Sequence, residues 1–153
     1  MKCFFLIASM LVLAACGSGN MQPQHFYQGF KNNAWPIGNT ISFSFEVTDT
    51  SKVCDITANL RYNDTFSFSS LNLSVVMLTP SGSSRFSKIV LPITKANGDR
   101  NGIRTNDYIG LPFDVYKSVR FAEKGTWVLN FNHTMPVDIF RGLIGLEINI
   151  LPQ

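Results

Sequence analysis

The sequence predicts an all-β fold: an antiparallel β-sandwich of about seven or eight strands, jelly-roll or immunoglobulin-like, behind a cleaved signal peptide. Apolar and polar residues alternate in segment after segment, which is the period of a strand. Turn-forming runs such as Pro80-Ser81-Gly82 and Glu123-Lys124-Gly125 separate these segments at short intervals. Helical periodicity is nearly absent, and the combination favours a sandwich over a barrel.

The first 15 residues are predicted to be a signal peptide and not part of the fold. Met1-Lys2 gives a positive end, and the apolar run at residues 3–12 is shorter than the roughly 20 residues needed to span a bilayer. The run ends in Leu13-Ala14-Ala15-Cys16-Gly17, which resembles the bacterial lipobox, where the chain is cut before the cysteine and the cysteine is acylated. We expect residues 1–15 to be removed and Cys16 to be lipidated. The alternative is an ordinary secretory signal in which Cys16 has no role.

Lipidation at Cys16 predicts how the mature chain is divided and held. Residues 16–33 would form the lipidated cysteine with its tether, and residues 34–153 the β-sandwich domain. The small, polar residues 17–24 could extend over at most about 28 Å. Three acyl chains bind a membrane far more firmly than one. No acidic residue precedes Glu46, so the tether lacks an inner-membrane retention aspartate and an acidic surface-export tag. We therefore expect the periplasmic face of the outer membrane.

Four strands are predicted in the first half of the domain. Residues 40–48 alternate most regularly, and residues 55–62 repeat the alternation. Residues 71–78 are apolar on both faces, which is typical of a central strand. Residues 89–93 predict a fourth, shorter strand. The inward side chains of the first strand would be Ile41, Phe43, Phe45 and Val47.

The second half of the domain predicts a long loop and three further strands. The polar, glycine-containing residues 95–107 predict the loop. Residues 113–121 and 126–133 follow as two strands joined by a tight turn. Residues 137–140 are long enough for one helical turn, and residues 143–151 end the chain as a strand. The inward side chains of the last strand would be Ile144, Leu146, Ile148 and Ile150.

Composition limits the classes of protein that this chain can represent. It has 153 residues, a net charge of +3, 45% hydrophobic residues and 15% charged residues. A domain of this size buries roughly 70% of its unfolded surface, so its core needs neither a disulfide framework nor a structural metal. The nearly balanced charge and the absence of basic runs argue against a nucleic-acid partner.

The residue types that carry chemistry are sparse. His25 and His133 are the only histidines, and no Cys/His cluster has the spacing of a metal site. No Gly-x-Ser-x-Gly elbow and no phosphate-binding loop occurs, so we expect no enzyme, no catalytic residue, no metal and no cofactor. Cys54 would be the one cysteine of the mature domain besides Cys16. It could be reactive or paired with a partner, but a small buried hydrophobe is the favoured interpretation.

Aromatic residues cluster ahead of the first strong strand. Phe26, Tyr27, Phe30 and Trp35 could stack on sugar rings or fill a partner's groove. More often such a cluster fixes an incoming segment across the sandwich, and we favour that interpretation.

The predicted contact surface for a partner protein is the long loop with its aromatic border. Its candidate residues are Arg100 and Arg104 in the loop, and Tyr108 and Phe113 just after it. Long, polar, glycine-containing connections commonly carry contacts, although a solvated loop is the alternative.

Several segments together resemble the GldH family of gliding-motility lipoproteins. The C-terminal third carries the most specific match, and weaker matches run back through nearly the whole mature chain. They are His133-Thr134-Met135, Asp138, Arg141-Gly142-Leu143-Ile144-Gly145-Leu146-Glu147-Ile148, Gly125, Trp127, Trp35, Ile41, Phe43, Asp49, Leu60-Arg61, Pro80-Ser81-Gly82 and the lipobox at Cys16. Residues 66–70 and 108–114 depart from the family pattern and indicate a divergent member.

The resemblance implies a non-enzymatic, membrane-anchored accessory or scaffold component of the bacterial gliding motility and associated envelope export machinery. Its partners would be the membrane, through the lipid at Cys16, and other envelope proteins. The alternative is an envelope lipoprotein that binds a glycan or a peptide. Exposed rings at Trp35, Tyr108 and Trp127 would favour that alternative, because sugars stack on exposed aromatic faces.

Overall fold

The computed structural model describes residues 20–153, which form eleven strands and one short 3-10 turn at Lys31–Asn33. The predicted signal peptide and the predicted lipidation site, Cys16, lie outside the described residues. The strands are β1 (Gln24–Gly29), β2 (Ala34–Pro36), β3 (Ile41–Val47), β4 (Val53–Tyr62), β5 (Ser70–Leu78), β6 (Ser84–Pro92), β7 (Ile103–Arg104), β8 (Ile109–Arg120), β9 (Gly125–His133), β10 (Ile139–Arg141) and β11 (Leu143–Pro152).

Two antiparallel sheets form the predicted sandwich. One has five strands in the order β1-β11-β4-β8-β7, and the other has four in the order β3-β9-β5-β6. A small third sheet pairs β10 with β2. The all-β, antiparallel prediction is confirmed. Seven of the strands correspond to predicted ones, and the additional strands are β1, β2, β7 and β10, of which three have only two or three residues.

Alternation of apolar and polar residues positions the core between the two large sheets. Along β3 the four predicted inward side chains are buried and the three between them are exposed. In β5, four alternate side chains are buried, and the strand lies between β9 and β6 as predicted for a central strand. Each large apolar side chain so buried contributes about 1.5–3 kcal/mol relative to exposure.

The predicted helical turn at residues 137–140 is wrong, because this segment contains strand β10. Phe140 pairs with Trp35 in the register of β10 and β2, and both side chains are completely buried. The Phe140 ring stacks on Phe66, with ring centroids 5.3 Å apart, and meets Phe68 edge-on at 4.7 Å. An extended backbone places this ring in the core, where aromatic packing outweighs the weak local preference for a turn.

The predicted inward position of Ile144 is wrong as well. A register shift between Leu143 and Gly145 interrupts the pairing of β11 with β4. As a result Leu143 is completely buried and Ile144 is half-buried, whereas Leu146 and Ile150 point inward as predicted. A bulge of this kind adds one residue to a strand and reverses the faces on its far side.

The segment before residue 34 contributes to the domain. Met21 is buried, with its Sδ 3.7 Å from the Sγ of Cys54, and β1 pairs with β11 along the edge of the five-stranded sheet. Gln24 links the two sheets, because its side chain donates to the carbonyl oxygen of Glu46 at 2.7 Å and accepts from the Glu46 N–H at 3.0 Å.

The connections between strands are short at one end of the sandwich and longer at the other. Gln24 at the start of β1 pairs with Ile150, so the chain enters and leaves at one end, which we call the terminal end. The short turns after β3, β5 and β8 also lie there. The longer connections after β1, β4, β6 and β9 lie at the opposite end, which we call the loop end.

Candidate functional site

The outer face of the five-stranded sheet carries a groove with a volume of about 630 Å³, which we call the outer groove. Side chains of β4, β8 and β11 form its floor, and the segment around β7 forms one wall. Its lining residues are Thr57, Ala58, Asn59, Ile103, Thr105, Tyr108, Gly110, Pro112, Phe113, Asp114, Glu147 and Asn149.

A stacked arginine forms the border of the outer groove. The Arg61 guanidinium carbon lies 4.6 Å from the ring centroid of Tyr27 and 4.9 Å from that of Tyr108. The Nη2 of Arg61 donates to the Oε2 of Glu147 at 2.6 Å. Both members of this ion pair are largely buried, with 27% and 15% of their side chains exposed. A charge held between two ring faces and a carboxylate has little freedom to move.

Glycines flank this stack on both neighbouring strands, and one of them makes room for it. Arg61 pairs with Gly145 on β11 and with Gly110 on β8, so no side chain flanks it on either strand. A Cβ atom at Gly145 would overlap the ring and hydroxyl of Tyr27, whereas one at Gly110 would lie in ordinary contact with the Tyr108 ring, at 3.6 Å. Gly145 therefore allows the Tyr27 ring to lie against the sheet.

Polar groups continue the site along β11. The Oδ1 of Asn149 lies 2.7 Å from the Nδ1 of His25, which is also 3.7 Å from the Oε1 of Glu147. Within residues 20–153, the buried Oδ1 of Asn59 and the buried Nε of Arg61 have no hydrogen-bond partner. Unpartnered buried polar atoms are uncommon and mark this face as incompletely satisfied.

The structure brings two of the four predicted contact residues to the outer groove. Tyr108 stacks on Arg61, and Phe113 lines the groove while packing half-buried against the core. Arg100 and Arg104 instead connect the long loop to the segment between β4 and β5. The Arg100 Nη2 donates to the carbonyl oxygen of Phe66, and Arg104 donates to both carboxylate oxygens of Asp64 at 2.8 and 2.9 Å. This bidentate contact holds the pKa of the Asp64 carboxyl below its usual value.

Three residues at the centre of the site, Arg61, Glu147 and Asn59, were not predicted as contact residues. Tyr27 was predicted only as a member of the N-terminal aromatic cluster. A usable signal was present, because Arg61 and Asn59 share the outward parity of β4 and Glu147 shares that of β11. A large polar residue facing outward between glycine-bearing strands indicates a stacking site more than an ordinary solvated face.

The two tryptophans offer no platform for a sugar ring. Trp35 is fully buried and Trp127 is 4% exposed. Their indole N–H groups donate to the carbonyl oxygens of Asn39 at 2.6 Å and Glu123 at 3.0 Å. Phe30 stacks on Trp35 with ring centroids 5.0 Å apart, so two members of the N-terminal aromatic cluster fix the incoming segment to the core.

Two buried titratable side chains, His133 and Cys54, lie away from the outer groove. His133 is 5% exposed between the rings of Trp35 and Phe140, and its burial lowers its pKa. Neither ring nitrogen has a partner with good hydrogen-bond geometry, although nearby backbone groups of Trp35 and Pro36 oppose the shift. Cys54 is fully buried with a free thiol, and its burial raises its pKa. The favoured interpretation of Cys54 as a small buried hydrophobe agrees with this position.

Within residues 20–153, no cluster of three or more histidine, cysteine, aspartate or glutamate side chains is arranged to hold a metal ion. The same part of the chain also contains no helix of the length and hydropathy required to cross a bilayer.

The fold and the groove define a small antiparallel β-sandwich domain with a polar, aromatic-bordered face on one sheet. Comparison with known families is more specific. The model of the GldH lipoprotein family matches residues 23–148, and the chain belongs to this family. Membership makes the chain an envelope lipoprotein of the GldH type, a family not known for an enzymatic activity.

The chain is similar to a curated relative in sequence and to chains of viral particles among the solved structures. A gliding motility lipoprotein GldH homolog of Christiangramia forsetii is 23% identical over 132 residues, which cover 86% of this chain and 79% of the relative. Among solved structures, the VP2 subviral particle of infectious bursal disease virus is 13% identical with a TM-score of 0.43 over 86% of this chain. The T13 particle of that virus is 12% identical with a TM-score of 0.45 over 97% of this chain. This chain spans about a third of those viral chains, 33% and 36%.

Proposed function

We propose that this chain is a non-enzymatic accessory or scaffold component of the bacterial gliding motility machinery and its associated envelope export machinery. The observation that carries the proposal is the family match over residues 23–148. A curated relative named a gliding motility lipoprotein GldH homolog covers most of the same chain and supports it. The absence of a recognisable catalytic motif in the sequence is consistent with a role in assembly.

Attachment to the membrane is part of this proposal. Cys16 would carry the lipid, with palmitate-type acyl chains, and the domain would face the periplasm from the outer membrane. The lipobox-like run before Cys16 and the absence of acidic residues before Glu46 support this placement. A firmly held domain has a restricted position, which raises the effective concentration for a second contact with a neighbouring protein.

The outer groove is the proposed contact surface for a segment of another envelope protein. Its charged side chains are already paired within the domain, Arg61 with Glu147 and Asp114 with Lys117. A segment that binds here would therefore be polar and uncharged, and would hydrogen-bond to amides such as Asn149. Tyr108 and Phe113 would touch it, and Arg100 and Arg104 would hold the loop that forms the wall.

Site-specific photo-cross-linking in intact cells tests this proposal. A benzophenone amino acid replaces Ile103, which is 70% exposed in the groove wall, in a tagged full-length chain. Ile37, which is 53% exposed in the turn between β2 and β3, is the matched control position, and Cys16→Ala removes the predicted anchor. We expect Ile103 to capture gliding or export-machinery lipoproteins, Ile37 to capture none, and Cys16→Ala to abolish capture.

Two outcomes would overturn the proposal. Capture of polysaccharide or nutrient-uptake proteins from Ile103 would assign the groove to a binding module. Capture that persists unchanged in a Tyr108→Ala variant carrying charge reversals at Arg100 and Arg104 would remove the groove as the contact surface. Circular dichroism and urea unfolding of the variant show whether it remains folded.

A further inference from the structure

Strand β6 leaves one long edge of the four-stranded sheet unpaired. Its nine residues pair with β5 in continuous register on one side, and β6 ends the strand order of this sheet. At the other edge, the Gln24 side chain bonds to both backbone polar groups of Glu46 and thereby partly closes β3. Among residues 20–153, no strand pairs with the outer edge of β6. An unpaired edge presents a row of N–H and C=O groups that a further strand can bind.

The outer face of β6 carries exposed apolar side chains. Phe86 is 57% exposed and Val90 is 65% exposed, and Lys88 lies between them on the same face. Val76 on β5 lies directly opposite Phe86 and is half-buried. Large apolar side chains beside a free edge extend the area that an added strand would cover.

The charge on this edge selects the kind of segment that fits it. Strand β6 contains Arg85 and Lys88 and no acidic residue, and β5 contains no charged residue. Arg85 lies over the ring of Tyr116, 4.7 Å from its centroid, and no ion pair involves Lys88 in the described part of the chain. An acidic residue opposite these cations would be favourable, and a basic one unfavourable.

The same charge disfavours a second copy of this chain. Pairing two β6 strands would bring two copies of Arg85 and of Lys88 to one seam, with no carboxylate from either strand. A central lysine is a common protection of edge strands against self-association. Here the exposed Phe86 and Val90 on either side of Lys88 provide apolar surface for a partner strand that carries the opposite charge.

We propose that β6 is a docking edge for an extended segment of another protein that presents an acidic residue between two apolar residues on one face of the strand. The segment adds a fifth strand to the four-stranded sheet, with its apolar side chains beside Phe86 and Val90 and the carboxylate between them beside Lys88. This inference does not depend on the role in gliding. It uses a different sheet from the outer groove, so either proposal can fail without the other.

Peptide binding to the detergent-solubilised full-length chain tests the proposal. The probe is a fluorescent nine-residue peptide with valine at positions 3 and 7, glutamate at position 5 and threonine elsewhere, so that the valines and the glutamate share one face of the added strand. One control peptide has lysine in place of glutamate, and a second carries N-methyl groups on alternate backbone amides. We expect the acidic peptide to bind about tenfold more tightly than the basic one, and N-methylation to abolish binding. Hydrogen exchange of the β6 amides should slow when the acidic peptide is bound.

A charge swap gives the matched control. In Lys88→Glu the preference between the acidic and basic peptides should reverse, whereas Lys31→Glu, an exposed lysine outside β6, should keep it. Equal binding of the two peptides, failure of either to bind, or protection confined to other strands would overturn the proposal. Sedimentation that shows dimers broken by Lys88→Glu would also overturn it and assign the edge to self-association.

Discussion

On the outer face of the five-stranded sheet, Arg61 holds two tyrosine rings and one carboxylate together. Its ion pair with Glu147 lies under two tyrosine rings, where water competes poorly for either charge. We expect Glu147→Gln to lower the free energy of unfolding by about 1–2 kcal/mol, because the largely buried guanidinium loses its charged partner. Urea unfolding followed by the fluorescence of the two buried tryptophans measures the change.

Asp114 provides the comparison for Glu147. Its ion pair with Lys117 has a similar N–O distance, 2.8 Å, but both side chains are more than half exposed. Asp114→Asn should cost about 0.5 kcal/mol or less, since exposed pairs contribute little. Equal losses of unfolding free energy in Glu147→Gln and Asp114→Asn would show that burial does not strengthen the ion pair between Arg61 and Glu147.

His133 makes the stability of the domain depend on pH. Its pKa in the folded state lies below the ordinary 6.5, because burial between aromatic rings disfavours the charged form. The unfolded chain therefore binds a proton at a higher pH than the folded chain. The contribution of the neutral His133 to the free energy of unfolding is therefore fully present above about pH 6.5. It is lost as the pH falls towards the pKa of the folded state.

We accordingly expect the urea midpoint to decrease between about pH 7.5 and pH 5.5. In His133→Phe the decrease should be smaller, since phenylalanine suits the surrounding rings and does not titrate. A His133→Phe variant with an unchanged pH dependence would assign the effect to another group.

At the scale of elements, the junction between β10 and β11 depends on one glycine. Gly142 has φ of +85°, and a Cβ atom there would overlap the backbone nitrogen of Phe66. Gly142→Ala should therefore reduce the free energy of unfolding by about 2–4 kcal/mol. Thermal and urea denaturation measure the loss.

Gly82 is the matched position for Gly142. Its φ is +90°, but open space surrounds the site of a Cβ atom. Gly82→Ala should cost about 1 kcal/mol, which is the backbone cost alone. A similar cost at both glycines would show that the segment around Phe66 can move to admit the methyl group.

The elements show which parts of the fold the sequence could predict. Strands β3 and β5 were predictable because one face of each is buried and the period of two is uninterrupted. Strand β10 was not, because three residues are too few for a period and the pairing partner, β2, is 105 residues away at Phe140 and Trp35. The inward face of Ile144 was missed because a bulge leaves no signal in the alternation.

The candidate site was predictable only in part. Polarity and length identified the loop, and Tyr108 beyond it lines the groove. Sequence proximity could not show that Arg61, Tyr27 and Tyr108 form one stack, since they lie on strands β4 and β1 and in the segment before β8. Contacts of this kind depend on sheet order, which the alternation of residues does not encode.

At the scale of the whole molecule, the sandwich should protect its one buried thiol. Cys54 lies at the start of β4, fully covered by the core and in contact with Met21. Alkylation by a maleimide should be at least about 100-fold slower in the folded chain than in urea, because it requires opening of the domain. Mass spectrometry follows the reaction in chain purified from membranes.

An exposed thiol calibrates this measurement. Ser83→Cys places a second thiol in an exposed turn, and it should react at the same rate in buffer and in urea. Rapid modification of Cys54 in the folded chain would show that the segment carrying Met21 opens locally, without unfolding of the sandwich.

The pairing of β1 with β11 also determines which end of the domain a lipid would adjoin. If Cys16 carries the proposed lipid, the membrane would lie nearest the terminal end, where β1 begins and where the C-terminal residue, Gln153, is placed. Strand β11 has ten residues, so the loop end would lie about 30 Å further from the bilayer. A fusion at Gln153 would then lie close to the bilayer, whereas the groove wall at Ile103 would lie away from it.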